Sequence, residues 1–228
     1  MKIAILSAME EELIPLLETL KDYESINYAN NTYYTAKYKN HDLILAYSKI
    51  GKVNSTLSAS IMIEKFKAEV LLFTGVAGSF NEKLKIGDLI IASKVVQYDL
   101  DITAFGHPLG FVPGNEIFVK TDTKLNNLAL DIAKNLNIKL LQGIIATGDE
   151  FICDENKKAK IRQIFNADAC DMEGANVVLV CNALNVPCLL LRAISDNAGE
   201  KAEFDFDEFL VKSAKISANF IFKICDRL

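Results

Sequence analysis

The chain has 228 residues, with 30 acidic against 25 basic side chains and a formal net charge of −5. Half of it is hydrophobic and 24% is charged, which excludes a disordered chain, a coiled coil and a collagen-like repeat. The acidic balance argues against a nucleic-acid binder, which needs surplus Lys and Arg to displace counterions, but not against a small anionic ligand.

In chain order, the apolar run at 2–6 predicts a strand and residues 9–20 a helix. A strand follows at 42–48, a helix at 53–66, and strands at 69–74 and 88–98. Then come a helix at 124–135, a strand at 140–147, helices at 155–165 and 173–184, a strand at 187–195 and a last helix at 207–224. The strands are continuously apolar rather than alternating, as expected when both faces of a sheet are covered. In the last helix Phe209, Ile216, Phe220 and Ile224 recur at helical spacing, so one face should be buried. Ser7-Ala8-Met9-Glu10 reads as a capping box, Asp154 as an N-cap, and Asp205 to Glu208 as the opening of the last helix.

No linker, composition break or repeat divides the chain, so residues 1–228 read as one α/β domain around a mixed sheet. The N-terminus MKIAILSA lacks the pattern of a signal peptide, and no apolar run reaches a membrane span. The cysteines are Cys153, Cys170, Cys181, Cys188 and Cys225, odd in number and without a CxxC pair. They read as small buried hydrophobes in a reducing compartment. The expectation is a soluble, cytoplasmic protein with no membrane or nucleic-acid partner.

Ligands of such sheets collect at the carboxyl ends of strands. After the first strand stand Glu10, Glu11 and Glu12. Acids there complement the helix dipole, which accounts for Glu10 and Glu11, whereas Glu12 is placed to point back over the strand end. After the third comes TGVAGS (74–79), whose glycines let backbone amides approach a ligand or simply make a tight turn. SKIGK at 48–52 lacks the full phosphate-loop pattern. Phe151, after the strand at 140–147, either stacks on a flat ring or fills core. Arg192 and Asp196 close a very apolar strand, either as a buried Arg–carboxylate pair or, with Glu12 and Glu173, around one pocket.

With only 2 His and no metal-spaced cluster, acid–base chemistry falls to carboxylates. Several carboxylates around one pocket point to glycosidic bond cleavage, where one acid assists the leaving group and a second carboxylate activates water. If the leaving group is a purine, an Asp kept protonated by its pocket can reach a ring nitrogen.

The stretches MKIAILSAMEEE (1–12), SKIGKVNS (48–55), TGVAGS (74–79), KIGDLIIAS (85–93), DITAFGH (101–107), ATGDEFI (146–152), DMEGANVV (171–178), VPCLLLRAISDNA (186–198) and FDFDEFL (204–210) span nearly the whole chain. Together they resemble the 5′-methylthioadenosine/S-adenosylhomocysteine nucleosidases of the purine nucleoside phosphorylase superfamily. The resemblance implies a three-layer α/β/α sandwich with a mixed, partly barrel-like sheet. It implies an N-ribosyl hydrolase, without cofactor or metal, that releases adenine from 5′-methylthioadenosine and S-adenosylhomocysteine. It extends to 5′-deoxyadenosine and to 6-amino-6-deoxyfutalosine, hence to methionine salvage and menaquinone synthesis.

By the same resemblance Glu12 activates water, Glu173 binds the ribose hydroxyls, and Asp196, helped by Ser195, protonates adenine N7. Met172 packs on the ribose, and Arg192 places the water or Glu173. Phe151 stacks on the base, the Ile152 backbone reads its edge, and Gly78 stands among the binding positions. Met9, Ile50, Ile102, Phe105 and Phe206 line the 5′-alkylthio pocket.

Two positions depart from the family pattern. Val76 stands where many relatives carry Ser, and His107 where they often carry an aromatic. His107 and Pro113 lie on a loop that in the family reaches the neighbouring subunit, so the resemblance implies a homodimer. The alternative is a phosphate-dependent purine nucleoside phosphorylase, whose anion the acidic turn after the first strand would repel. A receiver-like binding module would need an Asp where the third strand ends in Thr74-Gly75.

Overall fold

The computed structural model describes residues 1–199 and 201–228. In chain order the elements are β1 (Lys2–Ser7), α1 (Glu10–Leu20), β2 (Glu24–Tyr28), β3 (Asn31–Tyr38), β4 (His41–Tyr47), α2 (Lys52–Glu64), β5 (Val70–Phe73), β6 (Val76–Ser79) and β7 (Leu89–Gln97). A 3₁₀ turn (Thr103–Phe105) follows, then β8 (Val119–Lys120), α3 (Thr123–Asn135), β9 (Leu140–Thr147), α4 (Glu155–Phe165), β10 (Ala169–Asp171), α5 (Gly174–Ala183), β11 (Cys188–Asp196) and α6 (Ala202–Cys225).

The strands form one mixed sheet in the order β2-β3-β4-β1-β5-β11-β6-β10-β9-β7-β8, and β7 also pairs with β11. That extra pairing closes β11, β6, β10, β9 and β7 into a five-stranded barrel, with the remaining strands as outer wings. β11 serves both parts. Its first residues pair with β5, Leu191–Ala193 with β7, and its end with β6.

Successive residues of the central strands are buried on opposite faces. Ile3, Ile5, Leu189 and Leu191 meet Leu13 and Leu16 of α1, Ile132 of α3, and Phe220 and Ile224 of α6. Ala4, Leu6, Cys188 and Leu190 meet Ala59 and Met62 of α2 and Val177 and Val178 of α5. Helices thus cover both faces, giving the three layers, and this is why the strands read as unbroken apolar runs. A smaller cluster, with Phe80, Tyr98, Ile152, Ile161 and Phe165, lies between the barrel and α4. Among the described residues no helix is long and apolar enough to cross a membrane.

Several boundaries differ from the sequence reading. α1 begins at Glu10 with Met9 as N-cap, so Ser7 does not cap it; the Glu12 side chain instead reaches back to the Met9 amide. α6 begins at Ala202, so Asp205 lies within its first turn rather than before it. Asp154 caps α4 as expected, accepting from the Lys157 amide at 2.7 Å. Of the cysteines, Cys153 is exposed and the other four are buried, and all are free thiols.

Candidate active site

The carboxyl ends of β1, β10 and β11 open with β6 onto one cavity of about 510 Å³. That size is in the range of small-molecule sites. Glu12, Glu173 and Asp196 line it, with Met9, Ile50, Gly78, Phe151, Ile152, Met172, Ser195 and Phe206.

Glu12 is the third residue of α1 and only 2% exposed, whereas Glu10 and Glu11 beside it face solvent. One oxygen accepts from the amides of Ala8 at 2.7 Å and Met9 at 3.0 Å. The other accepts from the Val76 amide at 2.9 Å, which ties α1 to β6. Residue 75 must be glycine for this: a Cβ there would lie 2.6 Å from Glu12 Oε1. Burial raises the pKa of Glu12, while Arg192 and the three amides oppose the rise.

Asp196 ends β11. The β11–β6 register shifts between Ile194 and Asp196, a bulge that sets Asp196 opposite Gly78. Its oxygens accept from Ser195 Oγ at 2.8 Å and from the Ala198 amide at 2.7 Å. Burial raises its pKa, and these two donors hold the rise back.

Glu173 is the N-cap of α5 and accepts from the Gly51 amide at 2.8 Å. Its pKa is pushed up to about 8, by burial first and then by the neighbouring Asp171 charge, against the pull of the Gly51 amide and Arg192.

Arg192 sits within β11, behind the cavity rather than on its surface. It forms a buried pair with Asp171, Nε donating to Oδ2 at 3.1 Å and Nη2 lying 2.9 Å from the same oxygen. Its guanidinium also lies over the Phe73 ring at 4.1 Å. The pair reading of Arg192 therefore describes its contacts, while its charge still reaches Glu12 and Glu173. Asp171 went unnoticed as a functional position, although it opens the DMEG stretch. It also accepts from Thr147 Oγ1 at 2.6 Å, and Thr147 Oγ1 in turn accepts from the Ala175 amide at 2.8 Å, which fixes the start of α5.

The sequence profile of the phosphorylase superfamily matches residues 2–227. The chain belongs to the phosphorylase superfamily. Within it, the chain is 78% identical over 228 residues, covering both chains fully, to the aminodeoxyfutalosine nucleosidase of Campylobacter jejuni. A crystal structure of the Campylobacter jejuni 5′-methylthioadenosine/S-adenosylhomocysteine nucleosidase, also 78% identical, matches with a TM-score of 0.96 over 100% of both chains. The Helicobacter pylori 5′-methylthioadenosine/S-adenosylhomocysteine nucleosidase is 49% identical. It matches with a TM-score of 0.99 over 100% of this chain and 98% of that one, and holds an aminopyrrolopyrimidine joined to a pyrrolidinol with a propynylthio arm.

The phosphorylase-superfamily fold brings most of the expected residues together, but not those of the 98–118 loop. Ile102, Phe105, His107 and Pro113 do not line the cavity of their own chain. Phe105 is 79% exposed on the 3₁₀ turn, and His107 stacks on Phe111 at 4.8 Å between centroids. The physical reason is that this long connection between β7 and β8 leaves residues 103–108 and 113–116 exposed to solvent rather than packed over the strand ends. Val76 contributes its amide to Glu12 and its side chain to the cavity wall. Phe151 meets Phe206 edge to face at 5.5 Å. Ala8, Ala77, Glu150, Cys170, Asp171, Glu203 and Asp207 complete the lining, unforeseen from the sequence.

Proposed function

We propose that this protein hydrolyses the N-glycosidic bond of 5′-substituted adenine nucleosides and releases adenine. 5′-Methylthioadenosine, S-adenosylhomocysteine and 6-amino-6-deoxyfutalosine are its substrates, and 5′-deoxyadenosine belongs to the same class. The observation that carries this reading is the convergence of Glu12, Glu173 and Asp196, all buried, on one mostly apolar cavity. The named activities of the relatives support it.

The steps follow from the geometry. Phe151 and Ile152 hold the base, and Asp196, whose burial favours the protonated acid, gives a proton to adenine N7. Electrons of the C1′–N9 bond then flow into the protonated ring as the bond breaks. The sugar left behind is cation-like. Water adds its hydroxyl to C1′ while Glu12 takes the other proton. Glu12 suits this because three amides and Arg192 counter the cost of burying its charge. Glu173 binds the ribose hydroxyls and, once ionised, offsets the developing positive charge. Met172 packs on the sugar, and Met9, Ile50 and Phe206 accept the apolar 5′ group.

A homodimer belongs to this proposal. Ile102, Phe105, His107 and Pro113 fall outside their own cavity, while Val53 is 78% exposed on α2 beside it. A second copy that covers these apolar groups would receive the loop at its own 5′ pocket. We place the activity in the cytoplasm, where buried free thiols stay reduced, and within methionine salvage and menaquinone synthesis.

The test is a substrate panel of the four nucleosides with adenine release measured for each. Release without phosphate, leaving a free 5-substituted ribose, supports the proposal. Cleavage that depends on phosphate and yields ribose 1-phosphate would overturn it in favour of a phosphorylase.

A further inference from the structure

The SKIGK stretch at 48–52 is no phosphate loop, yet it supplies the one hydrogen bond that the Glu173 carboxyl accepts among the described residues. We propose that Lys52, Asp99 and Asp149 form a clamp that positions Glu173 by holding the Gly51 amide against it. The inference rests on the reading of Glu173 as the ribose-binding carboxylate.

The clamp joins three chain segments that are distant in sequence. Lys52 opens α2, Asp99 lies just past β7, and Asp149 lies just past β9. Lys52 Nζ donates to Asp99 Oδ1 at 2.7 Å and to Oδ2 at 2.9 Å. Asp99 Oδ2 also accepts from the Asp149 amide at 2.9 Å. Asp149 Oδ1 accepts from the Lys52 amide at 2.8 Å, which closes a ring of hydrogen bonds. Lys52 is thus fastened at its backbone and at the tip of its side chain. The adjacent amide, of Gly51, is the one that meets Glu173 Oε1 at 2.8 Å.

Gly51 has φ +98°, a conformation other residues rarely adopt, and a Cβ there would stand 3.2 Å from Asp149 Oδ1. Asn176 of α5 secures the same turn, its Nδ2 donating to the Lys52 carbonyl at 2.8 Å and to Ser55 Oγ at 2.7 Å. Since Glu173 is the N-cap of α5, the loop and the carboxylate are tied to a common frame.

Stability alone explains the clamp poorly. The Lys52 and Asp99 side chains are 20% and 27% exposed, and partly solvated ion pairs stabilise little. Position is what the clamp controls. Asp171 on β10 and Glu12 on α1 oppose the ionisation of Glu173, and Arg192 on β11 and the Gly51 amide favour it. Of these, only the amide hangs on a loop, so only it depends on a tether.

The test uses Lys52→Met, Asp99→Asn and Lys52→Arg in the full chain. Two quantities are read: the pH profile of kcat/KM for adenine release, and the midpoint of the Glu173 carboxyl by ¹³C NMR of the ligand-free protein. Lys52→Met and Asp99→Asn should each lower kcat/KM about tenfold or more and move the Glu173 midpoint to higher pH, with melting temperature nearly unchanged. Lys52→Arg, which keeps the charge against Asp99, should restore most of both. A Lys52→Met protein with kcat/KM within about twofold of the parent and an unmoved midpoint would overturn the clamp. So would a loss of activity with an unmoved midpoint that Lys52→Arg does not repair. If the parent protein released no adenine, the nucleosidase reading would fall, while the NMR midpoint would still decide the clamp.

Discussion

The floor of the cavity and the 98–118 loop are built in opposite ways. On the floor, Glu12, Glu173 and Asp196 are buried and each accepts at least one backbone amide, from distant segments for Glu12 and Glu173 and from its own turn for Asp196. Their positions follow from the sheet: β10 and β11 belong to the closed barrel, and β1 ends beside them because it runs parallel to β5, which runs parallel to β11. The loop is fastened at its base, where Asp99 meets Lys52 and the Asp149 amide, but its tip has no such frame. Phe105, His107 and Pro113 project into solvent, held by a 3₁₀ turn and by the contact of His107 with Phe111. The floor is complete within one chain and its chemistry should be sensitive to every substitution. The tip of the loop touches no part of its own cavity, and under the proposed homodimer its contribution should depend on a partner.

The sharpest way to break this comparison is to neutralise the floor. If Asp196 is the acid proposed for adenine N7, Asp196→Asn removes that proton and keeps the shape, so turnover should fall by about 10²-fold or more. Glu12→Gln should do likewise if Glu12 is the proposed acceptor for the water proton. Single-turnover adenine release is the measurement, with circular dichroism to verify the fold. Near-normal turnover in the Asp196→Asn protein would remove it from its acid role.

Beneath the floor, the Arg192–Asp171 pair should matter for stability as much as for rate. Breaking a buried pair leaves one charge without its partner, which costs about 3–5 kcal/mol. Asp171→Leu leaves the Arg192 guanidinium uncompensated in the barrel wall and also frees Thr147 Oγ1. Urea unfolding should show a midpoint well below that of the parent with a similar slope. An unchanged midpoint would mean that the pair carries no structural load.

These two parts of the floor differed in how far the sequence disclosed them. β1, β4, β5, β7, β9 and β11 were legible because burial on both faces writes a continuous apolar run. β2 and β3 were not, since β2 is exposed throughout and the hairpin is rich in Tyr, Thr and Asn. β6 and β10 are too short to carry a pattern and exist through their pairing with β11 and β9. Glu12, Glu173 and Asp196 could be suspected because acids directly after apolar strands are unusual, and the family resemblance assigned their roles. Asp171 was missed because its partner Arg192 lies 21 residues further on, and only the closed barrel brings them together. The clamp at Lys52 was missed for the same reason.

The carboxylates of the floor also set a pH dependence, smaller in size. Glu173 has its pKa raised to about 8 in the folded chain, and an unfolded glutamate titrates near the ordinary value of 4.5. Between those values the folded state binds the extra proton. Its stabilising contribution is therefore complete below the lower value and is lost as pH rises through the upper one. Glu12 and Asp196, also raised, act in the same direction. The ligand-free protein should melt about 5 °C lower at pH 8.5 than at pH 5.5, and Glu173→Gln should flatten that slope. A Glu173→Gln protein whose melting temperature falls with pH as steeply as the parent's would show that Glu173 does not carry this dependence.

The smallest effect tests the loop itself. Phe105→Ala removes an exposed ring, so melting should hardly change. If the ring completes a neighbour's 5′ pocket, KM for 5′-methylthioadenosine should rise about fivefold, near 1 kcal/mol, with kcat nearly constant. Mixing decides whose pocket it serves. Unfolding and refolding Phe105→Ala together with Glu12→Gln yields mixed dimers in which one cavity has its own intact Glu12 and the partner's intact Phe105. That cavity is equivalent to the parent's, so a component with parental KM should emerge that neither variant shows alone. If Phe105 served its own cavity, no mixed dimer would hold a parental site, and the mixture would show only the raised KM. The loop would then belong with the floor, and the contrast between the two regions would fail.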